Sequence, residues 1–113
     1  MFTFIELRAF TRRLIEIGKH RADDILLLIQ SDLIDNPERG TRVEGLGGIR
    51  KARCADPTRG KGTRGGFRYL YYYIEKDGQI FLMFLFDKNE QEDLTKDQKK
   101  SIRKALDKLK ETP

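Results

Sequence analysis

The stretch Phe67–Phe86, FRYLYYYIEKDGQIFLMFLF, predicts a β-hairpin. Its two arms, Phe67–Ile74 and Gln79–Phe86, are rich in the aromatic and β-branched residues that favour strands. They are joined by a short polar segment that ends in Asp77-Gly78, and an Asp-Gly pair is a strong short-range hairpin signal. The second arm is apolar at nearly every position, which is typical of a central strand covered on both faces. The hairpin therefore belongs to the middle of an antiparallel sheet.

Two helices are predicted before this hairpin. After a short apolar strand at Phe2–Ile5, apolar residues repeat at helical spacing up to Gly18, a common helix stop. A second apolar stripe within Ala22–Ile34 predicts another helix, which the Asn36-Pro37 pair closes. The two helices form a helical hairpin.

One further strand and one further helix complete the chain. The segment Ile49–Cys54 has strand character, and a last helix starts at Thr95, where Thr95 and Gln98 have the spacing of a capping box. The predicted order is β-α-α-β-β-β-α, an α+β fold with a mostly antiparallel four-stranded sheet flanked by helices. A chain of 113 residues can bury one modest core and no second one, so residues 1–113 are expected to form a single domain.

The positive charge of the chain is concentrated in one stretch. The formal net charge is +5 and the isoelectric point is about 9.4. Within Arg39–Arg68 nine Lys and Arg residues face only Glu44 and Asp56, a local +7, so the remainder carries about −2. A basic patch of this kind favours an anionic partner.

Several classes of site are disfavoured by the sequence. Gly60–Gly65 matches G-x-G-x-x-G, but it joins two predicted strands, whereas a dinucleotide fingerprint joins a strand to a helix. The chain has one histidine, His20, and one cysteine, Cys54, which leaves no metal cluster and no histidine-based catalytic relay. His20 is expected at the surface or at a helix cap, and Cys54 in the core. The longest apolar run, Ile80–Phe86, is too short for a membrane helix, and we expect a soluble, unexported, cytoplasmic protein.

The basic residues of the patch are expected to converge beside the hairpin. Strand alternation places Lys51 and Arg53 on one face, with Ala52 and Cys54 on the other. Arg68, at the start of the next strand across the ladder, is expected on the open face beside them. The intervening glycine-rich loop adds the cations Arg59, Lys61 and Arg64. Like charges this close are costly unless an anion joins them. A generic solvated basic surface is the alternative interpretation.

The four tyrosines of the first arm divide between the two faces by the same alternation. Tyr72 shares the face of Arg68, where it is a candidate either for stacking a base or for packing. Tyr69, Tyr71 and Tyr73 point the other way and are expected in the core.

A set of short motifs, taken in order, resembles the RelE/ParE superfamily of type II toxins, in its HigB-like branch. The motifs cover nearly the whole chain and are Asn36-Pro37-x-x-Gly40, Gly47-Gly48-Ile49-Arg50-Lys51-x-Arg53, Gly60-Lys61-Gly62, Gly65-Gly66-x-Arg68-x-x-Tyr71-Tyr72 and Lys88-Asn89-Glu90-x-x-Asp93-Leu94-Thr95. The strand and helix order predicted above is also the order of that family.

The resemblance implies a bacterial, ribosome-dependent endonuclease that cleaves translated mRNA in the A site without a metal or cofactor. The positions that match its catalytic cations are Lys51, Arg53, Arg68 and Lys88. Arginine offers a charged planar fork to phosphate oxygens, so Arg53 and Arg68 are expected to stabilise the phosphorane, and Lys51 and Lys88 to act as base or acid.

The remaining basic residues, by the same resemblance, bind RNA phosphates without reading sequence. They are Arg50, Arg59, Lys61 and Arg64. The implied partners are the ribosome with its mRNA and a cognate antitoxin that contains a helix-turn-helix. Some relatives carry a tyrosine in the C-terminal helix, whereas this chain has none there.

Two other functions fit the same fold. A ParE-like toxin would act on DNA gyrase by protein binding, and a non-catalytic module would bind RNA only. The cations on strand and loop favour the nuclease, because a protein that bound gyrase would have little use for them.

Overall fold

The computed structural model describes residues 1–56 and 66–111. Within these residues three α-helices and five strands follow one another, and they are β1 (Thr3–Glu6), α1 (Arg8–Gly18), α2 (Ala22–Asp35), β2 (Thr41–Arg42), β3 (Arg50–Cys54), β4 (Phe67–Ile74), β5 (Gln79–Asp87) and α3 (Lys96–Glu111). The bounds of the elements that the sequence predicts agree with these to within one or two residues.

The strands form one sheet in the order β1-β5-β4-β3-β2. The pair β1–β5 is parallel and the other three pairs are antiparallel. The α+β class and the mostly antiparallel sheet are therefore confirmed. The prediction of four strands is wrong by one, because Thr41 and Arg42 pair with Lys51 and Arg50 as a fifth strand. Thr41 and Arg42 are both exposed and show no alternation of apolar and polar residues. Their strand conformation therefore depends on pairing with the neighbouring strand.

The β4–β5 hairpin is closed as the Asp-Gly pair predicts. Gly78 takes a left-handed conformation with φ of 63°, and its N–H donates to the Glu75 carbonyl at 3.2 Å. The register shifts by one residue next to Leu70 and Tyr71. At this bulge Met83 and Phe84 both face the same side of the sheet. The extra residue increases the local bend and twist of β5.

Two apolar cores lie on the two faces of the sheet. The first packs the sheet against α1 and α2, with Phe10, Ile29, Tyr69 and Tyr71 fully buried. The second packs the opposite face against α3 and the segment before it, and it includes Leu70, Phe86, Leu94, Ile102 and Leu106. Residues of β5 contribute to both cores, which confirms that it is a central strand.

The N-terminus of α3 is capped as predicted. The Thr95 hydroxyl accepts a hydrogen bond from the N–H of Gln98 at 3.1 Å, and the Gln98 side chain accepts one from the N–H of Thr95 at 3.0 Å. This reciprocal pair satisfies two backbone donors at the helix end. None of the helices within residues 1–56 and 66–111 is long and apolar enough to cross a membrane.

Candidate nucleic-acid interface

Three cations meet on the α3 side of the sheet. In the β3–β4 ladder Arg53 lies directly opposite Arg68, and Lys51 lies opposite Leu70, which belongs to the core under α3. Directly opposed residues of an antiparallel pair have Cβ atoms about 5 Å apart. Ala52 and Cys54 point to the other face and are buried there, so the predicted alternation of β3 is confirmed.

Arg68 is the most enclosed member of this cluster. Its side chain is only 7% exposed, which corrects the expectation that it lies on an open face. Burial lowers the pKa of its guanidinium, the charge of Arg53 lowers it further, and the carboxylates of Glu92 and Asp87 oppose both effects. Arginine keeps its charge in proteins, so Arg68 places a fixed cation in a poorly hydrated position.

Lys88 joins the cluster through its backbone. It follows the last residue of β5, and its N–H donates to the carbonyl of Gly66 at 3.4 Å, two residues before Arg68. Gly66 also allows the end of β3 to approach closely, because an added Cβ there would overlap the carbonyl of Cys54. The ends of β3, β4 and β5 are thereby gathered at one corner of the sheet.

Carboxylates already compensate two of these cations, Lys51 and Arg68. Lys51 Nζ donates to Asp93 Oδ1 at 3.1 Å. Partial burial opposes ionisation of Asp93, yet hydrogen bonds from the N–H of Leu94 and from Lys51, with the charges of Lys51 and Lys99, lower its pKa overall. Glu92 and Asp87 act on Arg68 in the same way. The segment between β5 and α3 thus supplies counterions to the cations of the sheet.

Two residues expected in the RNA-binding set lie elsewhere. Arg50 alternates with Lys51 to the opposite face, where its guanidinium donates to the carbonyl of Gly40 at 2.8 Å and to that of Glu38 at 3.2 Å. Tyr72 stands four residues beyond Arg68, about 13 Å along β4. Its ring packs in the α3 core, with Lys110 Nζ at 5.9 Å from the centroid. The structure therefore separates both from the cation cluster.

The remaining candidates are the loop cations, the single histidine and the single cysteine. Arg59, Lys61 and Arg64 lie outside the described residues. His20 is exposed, as expected. Cys54 is buried, as expected, and burial raises the pKa of its thiol to about 12, which keeps it protonated and unreactive at neutral pH. Within residues 1–56 and 66–111 no three His, Cys, Asp or Glu side chains are placed to hold a metal ion.

Sequence reasoning missed the acidic side of the site. Asp93 stands in the motif Lys88–Thr95, but its pairing with Lys51 joins residues 42 positions apart in sequence. Helical periodicity and strand alternation say nothing about such a contact. The one available signal was the presence of Asp93 in a motif that also contains a candidate catalytic lysine.

Comparison with known protein families places the chain in one of them. A sequence model described as the RelE toxin of the RelE / RelB toxin–antitoxin system matches residues 19–112. The chain belongs to the RelE toxin family. This family membership confirms the resemblance at the level of the superfamily, and the HigB-like branch stays a prediction.

Solved RelE structures share the fold. A toxin–antitoxin complex RelBE2 from Mycobacterium tuberculosis has a TM-score of 0.59 at 18% identity, over 76% of this chain and 96% of that one. A free mutant of the Escherichia coli toxin RelE has a TM-score of 0.54 at 14% identity, over 80% of this chain and 87% of that one. The intact E. coli RelBE toxin–antitoxin complex has a TM-score of 0.54 at 12% identity, over 77% and 96%.

Proposed function

We propose that this RelE-family toxin is an endoribonuclease that cleaves translated mRNA in the ribosomal A site and thereby blocks translation. The observation that carries the proposal is the direct opposition of Arg53 and Arg68, with Lys51 on the same face. Two adjacent guanidinium groups repel each other, and an anion that contacts both of them relieves that repulsion. A phosphodiester in its transition state is such an anion, and its negative charge increases as the reaction proceeds.

The proposed chemistry divides the work among four residues. Cleavage by the ribose 2′-OH needs a base for that hydroxyl, stabilisation of the phosphorane and an acid for the leaving 5′-oxygen. Arg68 is enclosed and fixed, and Arg53 is exposed opposite it, so the two suit the stabilising role. Lys51 and Lys88 carry exchangeable protons and are proposed as base and acid. No metal or cofactor takes part in this scheme.

The internal carboxylates explain why the ribosome is needed. Asp93 is bonded to Lys51, so a phosphate must displace a neighbour that is already in place. Such competition weakens the binding of free RNA, because each compensated cation releases fewer counterions on binding phosphate. In the A site the ribosome holds the mRNA and supplies the effective concentration that free RNA lacks. Translation takes place in the cytoplasm, and the proposed activity places the protein there.

A cognate antitoxin with a helix-turn-helix is the proposed protein partner, since RelE occurs with its antitoxin in the solved RelBE complexes. An apolar groove of about 600 Å³ between α1 and α3 fits an amphipathic helix of that partner. Its floor contains Met83 and Phe84, while Arg8, Arg12 and Lys108 outnumber Asp97 at its rim. This rim favours an acidic helix. Binding there need not cover the cations, because the added bulk is enough to prevent entry into the A site.

The central experiment compares four purified reactions. Primer extension maps cuts in an mRNA paused on ribosomes, in the same mRNA without ribosomes, and in both with Arg53→Ala. We expect cuts in the A-site codon only with ribosomes, and a strong reduction with the variant. Lys76→Ala is the matched control, since it removes one exposed charge in the hairpin turn at the other end of β4. Inhibition of gyrase supercoiling without any mRNA cut would refute the proposal.

A further inference from the structure

The segment that carries Lys88 is held by a residue of α1. Arg13 lies in the middle of α1 and reaches the turn that follows β5, where its Nη2 donates to Glu90 Oε1. Glu90 belongs to the motif Lys88–Thr95, and the proposed chemistry assigns it no role. Its contact joins two elements that are 77 positions apart in sequence.

Arg13 is itself fixed in place from several directions. Its Nε donates to the carbonyl of Leu85 at 3.1 Å. The ladder between β1 and β5 ends at Leu82, so this bond satisfies an acceptor on a part of the β5 edge that has no neighbouring strand among the described residues. The guanidinium carbon lies 5.9 Å from the centroid of the Phe84 ring, and Nη1 donates to Glu16 at 2.8 Å. With only 19% of its side chain exposed, Arg13 has one well-defined orientation.

Glu90 connects Arg13 to the backbone around Lys88 by hydrogen bonds. The oxygen that accepts from Arg13 also accepts from the N–H of Asp87 at 2.9 Å. The carbonyl of Asp87 in turn accepts from the N–H groups of Glu90 and Gln91 at 3.0 and 3.3 Å. Lys88 therefore sits inside a turn whose two ends are bonded to each other and, through Glu90, to α1.

We propose that Arg13 and Glu90 form a positioning pair that sets the conformation of the Asp87–Gln91 turn and thereby the place of Lys88 beside Arg53 and Arg68. The inference rests on the proposed function, because it assigns the pair to the geometry of the same reaction. Neither residue touches the reacting atoms. Both partners remain partly exposed, and an ion pair of that kind contributes little to global stability. Small displacements of a catalytic group, in contrast, reduce rate strongly.

The test separates positioning from folding and from binding. Arg13→Gln and Glu90→Gln are each expected to lower the single-turnover cleavage rate at saturating mRNA-programmed ribosomes by about tenfold or more. The concentration for half-saturation should remain that of the wild type. The double variant should be no slower than the slower single variant, because both changes break one unit.

Glu16→Gln is the matched control. It removes the other carboxylate bonded to Arg13 but leaves the turn intact, so cleavage at the wild-type rate is expected. Hydrogen exchange of the Gln91 amide, which donates to Asp87, should accelerate in Arg13→Gln and Glu90→Gln and stay unchanged in the control.

Three outcomes of the kinetic test would overturn the inference. These are wild-type rates in both variants, a loss that appears equally in Glu16→Gln, and a rate loss that follows a fall in melting temperature. Hydrogen exchange is independent of catalysis, so it distinguishes the two proposals. If the wild type cuts no mRNA, the proposed function is refuted. If hydrogen exchange of the Gln91 amide is unchanged in the variants, only the positioning role of Arg13 and Glu90 is refuted.

Discussion

Arg53 and Arg68 occupy directly opposed positions of the β3–β4 ladder, the first exposed and the second almost fully enclosed. Arg53 can therefore contact an incoming phosphate, whereas Arg68 is held in place by the packing around it. Because water is largely excluded around Arg68, its interaction with a charge that develops nearby is stronger than at the surface.

Arg68→Ala should lower the single-turnover cleavage rate by roughly a hundredfold or more, equivalent to about 3 kcal/mol of transition-state stabilisation. Ribosome binding should stay near that of the wild type. Since Arg68 is enclosed, the melting temperature is measured in parallel, and Arg68→Lys provides a variant that keeps the charge but loses the planar fork. If Arg68→Ala cleaves at the wild-type rate on saturated ribosomes, Arg68 has no catalytic role and the cation cluster is a binding surface.

Arg64→Ala should behave in the opposite way. A lost phosphate contact weakens ribosome binding and lowers the slope of log affinity against log salt by about one, while the rate at saturation changes little. Titrations at several salt concentrations give the slope, and single-turnover kinetics give the rate. An unchanged slope would remove Arg64 from the set of phosphate contacts.

Two neighbouring tyrosines should respond differently to the loss of their hydroxyl groups. The Tyr71 hydroxyl accepts from the N–H of Gly40 at 3.0 Å in the core, so Tyr71→Phe should destabilise by about 1–2 kcal/mol. The buried Tyr69 hydroxyl has no hydrogen-bond partner among the described residues, so Tyr69→Phe should be neutral or stabilising by up to about 1 kcal/mol. Urea unfolding of both variants gives the comparison. Equal losses would contradict the hydrogen-bond assignment.

Asp93→Asn should change how stability depends on pH. The pKa of Asp93 lies below its usual value of 3.8 in the folded protein, so ionised Asp93 favours the folded state. Its contribution is present above pH 3.8 and disappears as the pH falls through the lower folded pKa. The melting temperatures of wild type and variant should therefore differ at neutral pH and converge in acid. Asp77→Asn, at the exposed hairpin turn, is the control. A gap that stays constant over the whole range would contradict the pairing with Lys51.

Ala9→Glu should separate toxicity from neutralisation. Ala9 lines the groove between α1 and α3 and is exposed, so a carboxylate there occupies the groove and repels an acidic helix. We expect growth arrest as with the wild type, but no rescue by the co-expressed antitoxin and no stable complex on co-purification. Full rescue would place the antitoxin on another surface.

Local sequence patterns predicted much of the fold and part of the candidate site. The Asp77-Gly78 turn fixes the β4–β5 hairpin because these residues accept its backbone conformation, and Gly78 has the expected positive φ. The apolar run of β5 required cover on both faces, and both cores are present. The alternation of β3 placed Lys51 and Arg53 together, since a period of two is a property of the strand itself.

Other features depended on residues far apart in sequence, and the tertiary structure alone decided them. The burial of Arg68, the pairing of Lys51 with Asp93 and the contact of Arg13 with Glu90 each require that separate elements pack at one corner of the sheet. The two-residue strand β2 forms because its backbone can pair with the edge of β3. Local propensity acts over a few residues, whereas the surroundings of a charge depend on every element packed around it. The sequence by itself therefore determined which cations share a strand face, and only the folded chain determined which of them are enclosed, compensated or held in place.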